Sequence, residues 1–246
     1  MDDILFERRG RLGLVTLNRE KALNALTLGM VRALHRQLDA WAADDGVAIV
    51  AIRGAGEKAF CAGGDIRALY EAGRPGGERG RANFEFYHDE YLMNAAIKRY
   101  PKPYVALMDG VVMGGGVGVS IHGSLRIATG RTVFAMPETG IGLFPDVGGT
   151  FFLPRLPGET GMWLGLTGAR LKGAETVTAG VCDRLVEPGE IDRLIEAMAE
   201  GALPEGGPGT GALPEQARID RAFAGESVEA VLEALGGEGD WGAAQA

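Results

Sequence analysis

The chain has 246 residues, 46% of them hydrophobic, which is enough to bury one sizeable core. A formal net charge of −8 and only two cysteines, Cys61 and Cys182, argue against a phosphate-backbone partner and against a disulfide framework. Its 40 glycines are scattered rather than periodic, so collagen-like and low-complexity readings fail.

The opening MDDILFERRG has neither a basic start nor an apolar stretch, so no secretory signal is expected. No apolar run reaches the roughly 20 residues that span a bilayer, and a soluble cytoplasmic protein is the default expectation. LGLVTL (12–17) and VAIVAIRG (47–54) read as buried strands. Between them Met30, Val31, Leu34, Leu38 and Trp41 recur at helical spacing behind Thr27, a candidate N-cap. Strand, helix, strand predicts an α/β fold with a parallel sheet. FCAGGDI opens a short helix, residues 73–81 form a flexible basic loop, and residues 83–99 form a longer helix. YVALMDG (104–110) is a strand with GGGVGVSIHG directly behind it, and LRIAT (125–129) is another. Residues 189–200 form an amphipathic helix, 204–215 read as a linker, and the last 30 residues hold one or two short helices. The boundaries drawn are a core over 1–188 and a helical C-terminal region over 189–246.

Two glycine clusters each follow a strand: Gly63-Gly64, and Gly114 to Gly116. A strand, a glycine turn and a helix N-terminus expose free backbone N–H groups, and two such donors can hold a developing oxyanion. A tight turn alone would also explain either cluster. Val119 stands where G-x-G-x-x-G needs its last glycine, and no GK[ST] follows, so nucleotide binding by these loops is rejected. MPETGIGLFPDVGGT (136–150) sets Glu138 and Asp146 eight positions apart in a stiff apolar segment. Pro137 and Pro145 each fix a torsion just before an acid. An apolar setting raises a carboxylate's pKa and its value as base or nucleophile. His88 and His122 have no metal-type partner at matching spacing, Ser120 and His122 suggest no triad, and Cys61 reads as a buried filler.

LNREKALNALT, KAFCAGGDI, DGVVMGGGVGVSIHG and FAMPETGIGLFPDVGGTFFLPRL, in that order, resemble the crotonase, or enoyl-CoA hydratase/isomerase, superfamily over about residues 3–186. The PDVGG run is the most specific and resembles the thioester-hydrolysing branch. The resemblance implies a crotonase-like (ClpP/crotonase) fold, with ββα units around a mixed sheet, and an acyl-CoA substrate. It implies an oxyanion hole at Gly64 and Gly115, with Glu138 beside the reacting carbon and Asp146 as the second acid of the hydrolases. Glu90 matches a substrate-contacting acid, with a solvated helix face as the alternative. Lys21, Ala22, Leu23, Ala62, Asp65 and Ile66 match the CoA grip, with core packing the alternative for Ala22 and Leu23. The implied reaction is hydrolysis of a short 3-hydroxyacyl-CoA, with 3-hydroxyisobutyryl-CoA of valine breakdown leading. It needs no metal and no cofactor beyond the CoA of the substrate, and no nucleic acid or membrane is involved. A homo-oligomer built on trimers is implied as well.

Two departures bear on this. Enoyl hydration in the family uses two glutamates, and the first position is Gly118 here. The hydrolase branch also continues past GGEGDWGAAQA, so a shortened C-terminal region is expected, which puts the pocket roof and the oligomer in question. An enoyl-CoA hydratase or isomerase using Glu138 alone, and an acyl-CoA-binding protein without turnover, are the alternatives.

Overall fold

The computed structural model describes residues 2–74, 80–207 and 211–245. The middle of the expected basic loop, 75–79, therefore lies outside the described residues, as does 208–210 of the linker. Strand β1 (Ile4–Arg9) turns through Gly10, φ +55°, into β2 (Leu12–Leu17), and α1 (Leu28–Ala42) leads to β3 (Ile49–Gly54) and β4 (Ala59–Cys61). Helices α2 (Ile66–Gly73) and α3 (Arg81–Lys98) precede β5 (Tyr104–Met108), β6 (Val111–Met113) and the one-turn α4 (Gly115–Gly118). Strands β7 (Leu125–Thr129) and β8 (Val133–Ala135) come next, then a 3-10 helix, Glu138–Ile141. Helices α5 (Gly149–Phe152) and α6 (Thr160–Thr167), β9 (Leu171–Lys172), α7 (Ala174–Thr178) and β10 (Arg184–Val186) complete the sheets. Helices α8 (Ile191–Ala199), α9 (Gln216–Phe223), α10 (Val228–Gly236) and α11 (Gly239–Ala243) come last, so the described part of the last 30 residues holds three short helices rather than one or two.

Among the described residues the strands form two sheets, not one. The six-stranded sheet runs β1-β2-β3-β5-β7-β10, all parallel except β1, which pairs antiparallel with β2. Its inner strands are buried on both faces, which is why they read as unbroken apolar runs. The four-stranded sheet runs β4-β6-β8-β9, with β4, β6 and β8 parallel and β9 antiparallel. Each of three successive units gives a long strand to the first sheet and a three-residue strand to the second: β3 then β4, β5 then β6, β7 then β8. The second glycine run therefore does not follow the long strand directly; Gly110, φ +84°, turns the chain first into β6.

Thr27 caps α1 by accepting from the Met30 N–H at 3.2 Å, and the five residues picked by spacing are its buried face. Helix α3 packs against it with Phe86, Glu90, Met93, Asn94 and Ile97 inward, a stripe at helical period that contains two polar residues. Ile191, Ile195 and Met198 of α8 cover the other face of the six-stranded sheet. Ile219, Phe223, Val231 and Leu235 of the last helices join the main core, and Gln216 and Asp220 bond back to Thr160 and the Glu159 N–H.

Candidate active site

The three parallel short strands end side by side, and the segments leaving their ends converge on a cavity of about 350 Å³. After β4 comes Gly63, φ +116°, where a side chain would be strained, and then Gly64. This turn is laced to the loop before α1: Leu26 N–H donates to the Gly63 carbonyl at 2.8 Å and Asp65 N–H to Leu26 at 2.9 Å. That pattern spends the bonds on either side of Gly64 and leaves its own N–H free. After β6, Gly114 at φ +49° turns the chain so that Gly115 heads α4. Among the described residues neither the Gly64 nor the Gly115 N–H meets a protein acceptor. The two turns lie against each other; a β-carbon on Gly63 would sit 3.6 Å from Gly115 N. After β8, Pro137 leads into Glu138 at the start of the 3-10 helix. The cavity is thus lined by Gly64, Gly115, Glu138, Asp146, Glu90, Ala62 and Ile66, residues that lie far apart along the chain.

Three carboxyls share this space, and all are nearly closed off: Glu90 is 2% exposed, Glu138 5% and Asp146 7%. Burial pushes Glu138 up to about 7; its own backbone N–H opposes the rise and the nearby Asp146 adds to it. Its Oε2 is buried with no hydrogen-bond partner among the described residues. Burial likewise raises Asp146 above its ordinary value, opposed by the Tyr91 hydroxyl, which donates to Oδ2 at 2.8 Å. The residue after it, Val147, is held at φ +44°, an uncommon conformation for a β-branched residue. Its carbonyl accepts from His122 Nε2 at 2.7 Å, so the ring carries its proton on that nitrogen. Asp146 also forms part of the wall of a second cavity, of about 480 Å³, lined by Tyr91, Asn94 and Lys98 among others.

Above Gly118 there is no free volume. A β-carbon there would lie 2.8 Å from Asn94 Oδ1 and 2.9 Å from Val147 Cβ. The position that lacks the hydratase acid is therefore closed by its neighbours.

Glu90 belongs to the buried stripe of α3, so the solvated-face alternative fails. Ala22 and Leu23 are exposed, so core packing fails for them as well. Lys21, Ala22 and Leu23 do not line the cavity; they form an exposed lip joined to its floor by Ala62 N–H donating to the Leu23 carbonyl at 3.0 Å. Leu23 and Asn24 both sit at positive φ. Asp65 does not line the cavity either. It caps α2 through the Ala68 N–H at 3.1 Å and pairs with Arg19 at 3.0 Å, which pins the lip to the glycine turn. Cys61 is fully buried, its thiol pushed up to about 12 by burial. Among the described residues no cluster of His, Cys, Asp and Glu is arranged to hold a metal ion. Sequence reasoning missed Tyr91 and Asn94. Asn94 stands four residues after Glu90, in phase with Phe86 and Ile97, and that phase was the available signal.

Two glycine turns and three buried carboxyls thus meet at one small cavity. The model of the enoyl-CoA hydratase/isomerase family matches residues 12–246, and the chain belongs to that family. It is 48% identical over 255 residues to the mitochondrial 3-hydroxyisobutyryl-CoA hydrolase of Danio rerio, covering 96% of this chain and 66% of that protein. To the mitochondrial 3-hydroxyisobutyryl-CoA hydrolase of Homo sapiens it is 49% identical over 199 residues, covering 80% of this chain and 50% of that protein. The chain thus spans about half to two thirds of the length of the curated relatives it matches. An enoyl-CoA hydratase from Rhodobacter sphaeroides 2.4.1 superposes with a TM-score of 0.92 at 42% identity, covering 99% of this chain and 73% of that one. The crotonase-like fold stands, corrected only in its two sheets. The expectation of a cytoplasmic protein finds no support in the relatives, whose names place them in mitochondria. Among the described residues no helix is long and apolar enough to cross a membrane.

Proposed function

We propose that this chain hydrolyses a short 3-hydroxyacyl-CoA thioester, with 3-hydroxyisobutyryl-CoA the leading substrate and valine breakdown the setting. The observation that carries the reading is the meeting of Glu138, Asp146 and the two free glycine N–H groups in one cavity, beside a position 118 that has no room for a second glutamate. The hydrolases among the relatives support it.

In this reading the Gly64 and Gly115 N–H groups take the thioester oxygen as it gains charge. Glu138 either attacks the carbonyl carbon, giving a mixed anhydride that water then opens, or takes a proton from a water that attacks. In both routes the C–S bond breaks and CoA leaves as a thiolate, which becomes the thiol with a proton given up by the hydrolytic water. Hydroxylamine intercepts the anhydride and so separates the routes. A carboxyl near 7 is partly ionised at neutral pH and serves either role. Asp146, held by Tyr91, reads the 3-hydroxyl or steers the water. Lys21, Ala22, Leu23 and Asp65 belong to the lip along which the CoA would lie. No cofactor enters beyond the CoA of the substrate, and a homo-oligomer is part of the proposal.

Thiol release across a panel of acyl-CoA thioesters is the test, with 3-hydroxyisobutyryl-CoA expected to react fastest. The Rhodobacter structure, named as a hydratase, favours a second reading, enoyl-CoA hydration or isomerisation by Glu138 alone. Loss of enoyl absorbance without thiol release would establish that reading. Tight binding with neither signal would leave an acyl-CoA-binding protein.

A further inference from the structure

One buried acid has no part in that mechanism. Glu90 lies on the inward stripe of α3 and lines the cavity, and its Oε1 has no hydrogen-bond partner among the described residues. Its position is specific. The point where a β-carbon of Gly115 would stand is already taken by Glu90 Oε1 and lies 3.2 Å from Gly64 N. The Glu90 carboxyl and the nitrogen of one glycine therefore lie close together against the face of the other. Among the described residues every titratable group facing Glu90 is neutral or acidic: Tyr87 and Tyr91 from its own helix, Cys61 from β4, Glu138 from the 3-10 helix, and Asp146 from the loop beyond it. An ionised Glu90 there would be a charge with no counter-ion, set against a developing oxyanion. A neutral one offers an O–H.

We propose that Glu90 stands in the oxyanion hole as a neutral carboxylic acid, adding an O–H donor to the N–H groups of Gly64 and Gly115. This rests on the thioester reading and extends it: the hole has three donors, one of them titratable. Burial first, then Asp146 and Glu138, pushes Glu90 up to about 8, so the donor is in place at neutral pH and becomes a repelling charge above it. Activity then rises as Glu138 ionises through about 7 and falls again above about 8.

Two substitutions separate the donor from mere packing. In Glu90→Gln the amide keeps a neutral donor and cannot ionise, so kcat falls by no more than about tenfold and the decline at high pH disappears. In Glu90→Leu the donor is gone, and kcat falls by about 10²-fold or more, the scale of removing one oxyanion-hole donor. Infrared difference spectra of wild type against Glu90→Gln at pH 7 should show the carbonyl band of a protonated carboxyl, whether or not the chain turns anything over. Affinity for a ketone analogue of the acyl-CoA, with CH₂ in place of sulfur, should drop in Glu90→Leu and hold in Glu90→Gln. Spectra and affinities need no thiol release, so they decide the role of Glu90 even if the hydrolase reading fails. A missing protonated band, a high-pH decline that survives in Glu90→Gln, or Glu90→Leu within about threefold of wild type in both rate and affinity would overturn the proposal.

Discussion

The two sheets differ in what they leave unsatisfied. In the six-stranded sheet Leu12, Leu14, Val50, Ile52, Val105 and Ile127 are buried and apolar. At the ends of the four-stranded sheet sit Glu90 Oε1, Glu138 Oε2 and both amide atoms of Asn94, all buried and, among the described residues, unpartnered. A buried polar group without a partner costs roughly 1–3 kcal/mol, so such atoms are not kept for stability. Both sheets feed the packed core, and that core offsets the cost of the polar groups held at the ends of the short strands.

Removing a side chain from the first sheet should affect folding alone. Ile52→Ala is expected to lower stability by about 2–5 kcal/mol in denaturant titrations, with kcat per folded molecule unchanged. A large drop in kcat for the folded fraction would break the division of labour. The mirror-image test is Glu138→Gln, which should cut thiol release by about 10²-fold or more and leave CoA binding largely intact. Activity within a few-fold of wild type would take Glu138 out of the mechanism. The stability cost of the site is itself readable. Folded Glu90 and Glu138 hold protons up to about 8 and about 7, whereas the unfolded chain releases them near 4.5. Their contribution is present in full below pH 4.5 and is lost as pH rises to about 8, so Glu90→Gln should gain on wild type progressively across that window. Thermal melts from pH 4.5 to 8 that run parallel would deny the strain. Asp146→Ala should slow a 3-hydroxyacyl-CoA at least about tenfold more than the same thioester without the hydroxyl, if Asp146 reads that group. Equal losses in kcat/KM would assign it to water instead. The smallest effect is expected of Tyr91→Phe. The lost hydroxyl had favoured ionised Asp146, so any limb of the pH–rate profile due to Asp146 moves to higher pH, with a loss of a few-fold.

Long apolar strands and the amphipathic α1 were legible because packing sets their period over several residues. The run ILFERR was not read as a strand, because β1 is an edge with outward charges and its partner is found only through the Gly10 turn. Strands β4, β6 and β8, of three residues each, are too short to show a period, yet they carry the site. Gly64, Gly115, Glu138 and Asp146 could be picked out by motif. Their convergence could not, since it depends on three strand ends lying side by side. Tyr91 and Asn94 act through neighbours distant in sequence, and only the phase of α3 hinted at either.

The packing over Gly118 has a consequence for anyone redesigning this chain. Asn94 and Val147 occupy the space that a side chain at 118 would need, and Val147 is itself part of the strap that holds Asp146. Changing Gly118 to glutamate alone would force the strap outward and misplace the acid next to Pro145. Converting the site to two-glutamate chemistry is therefore a coupled problem: Asn94 must shrink and the 145–148 backbone must find a new path in the same step, so the single-substitution intermediates lie in a trough.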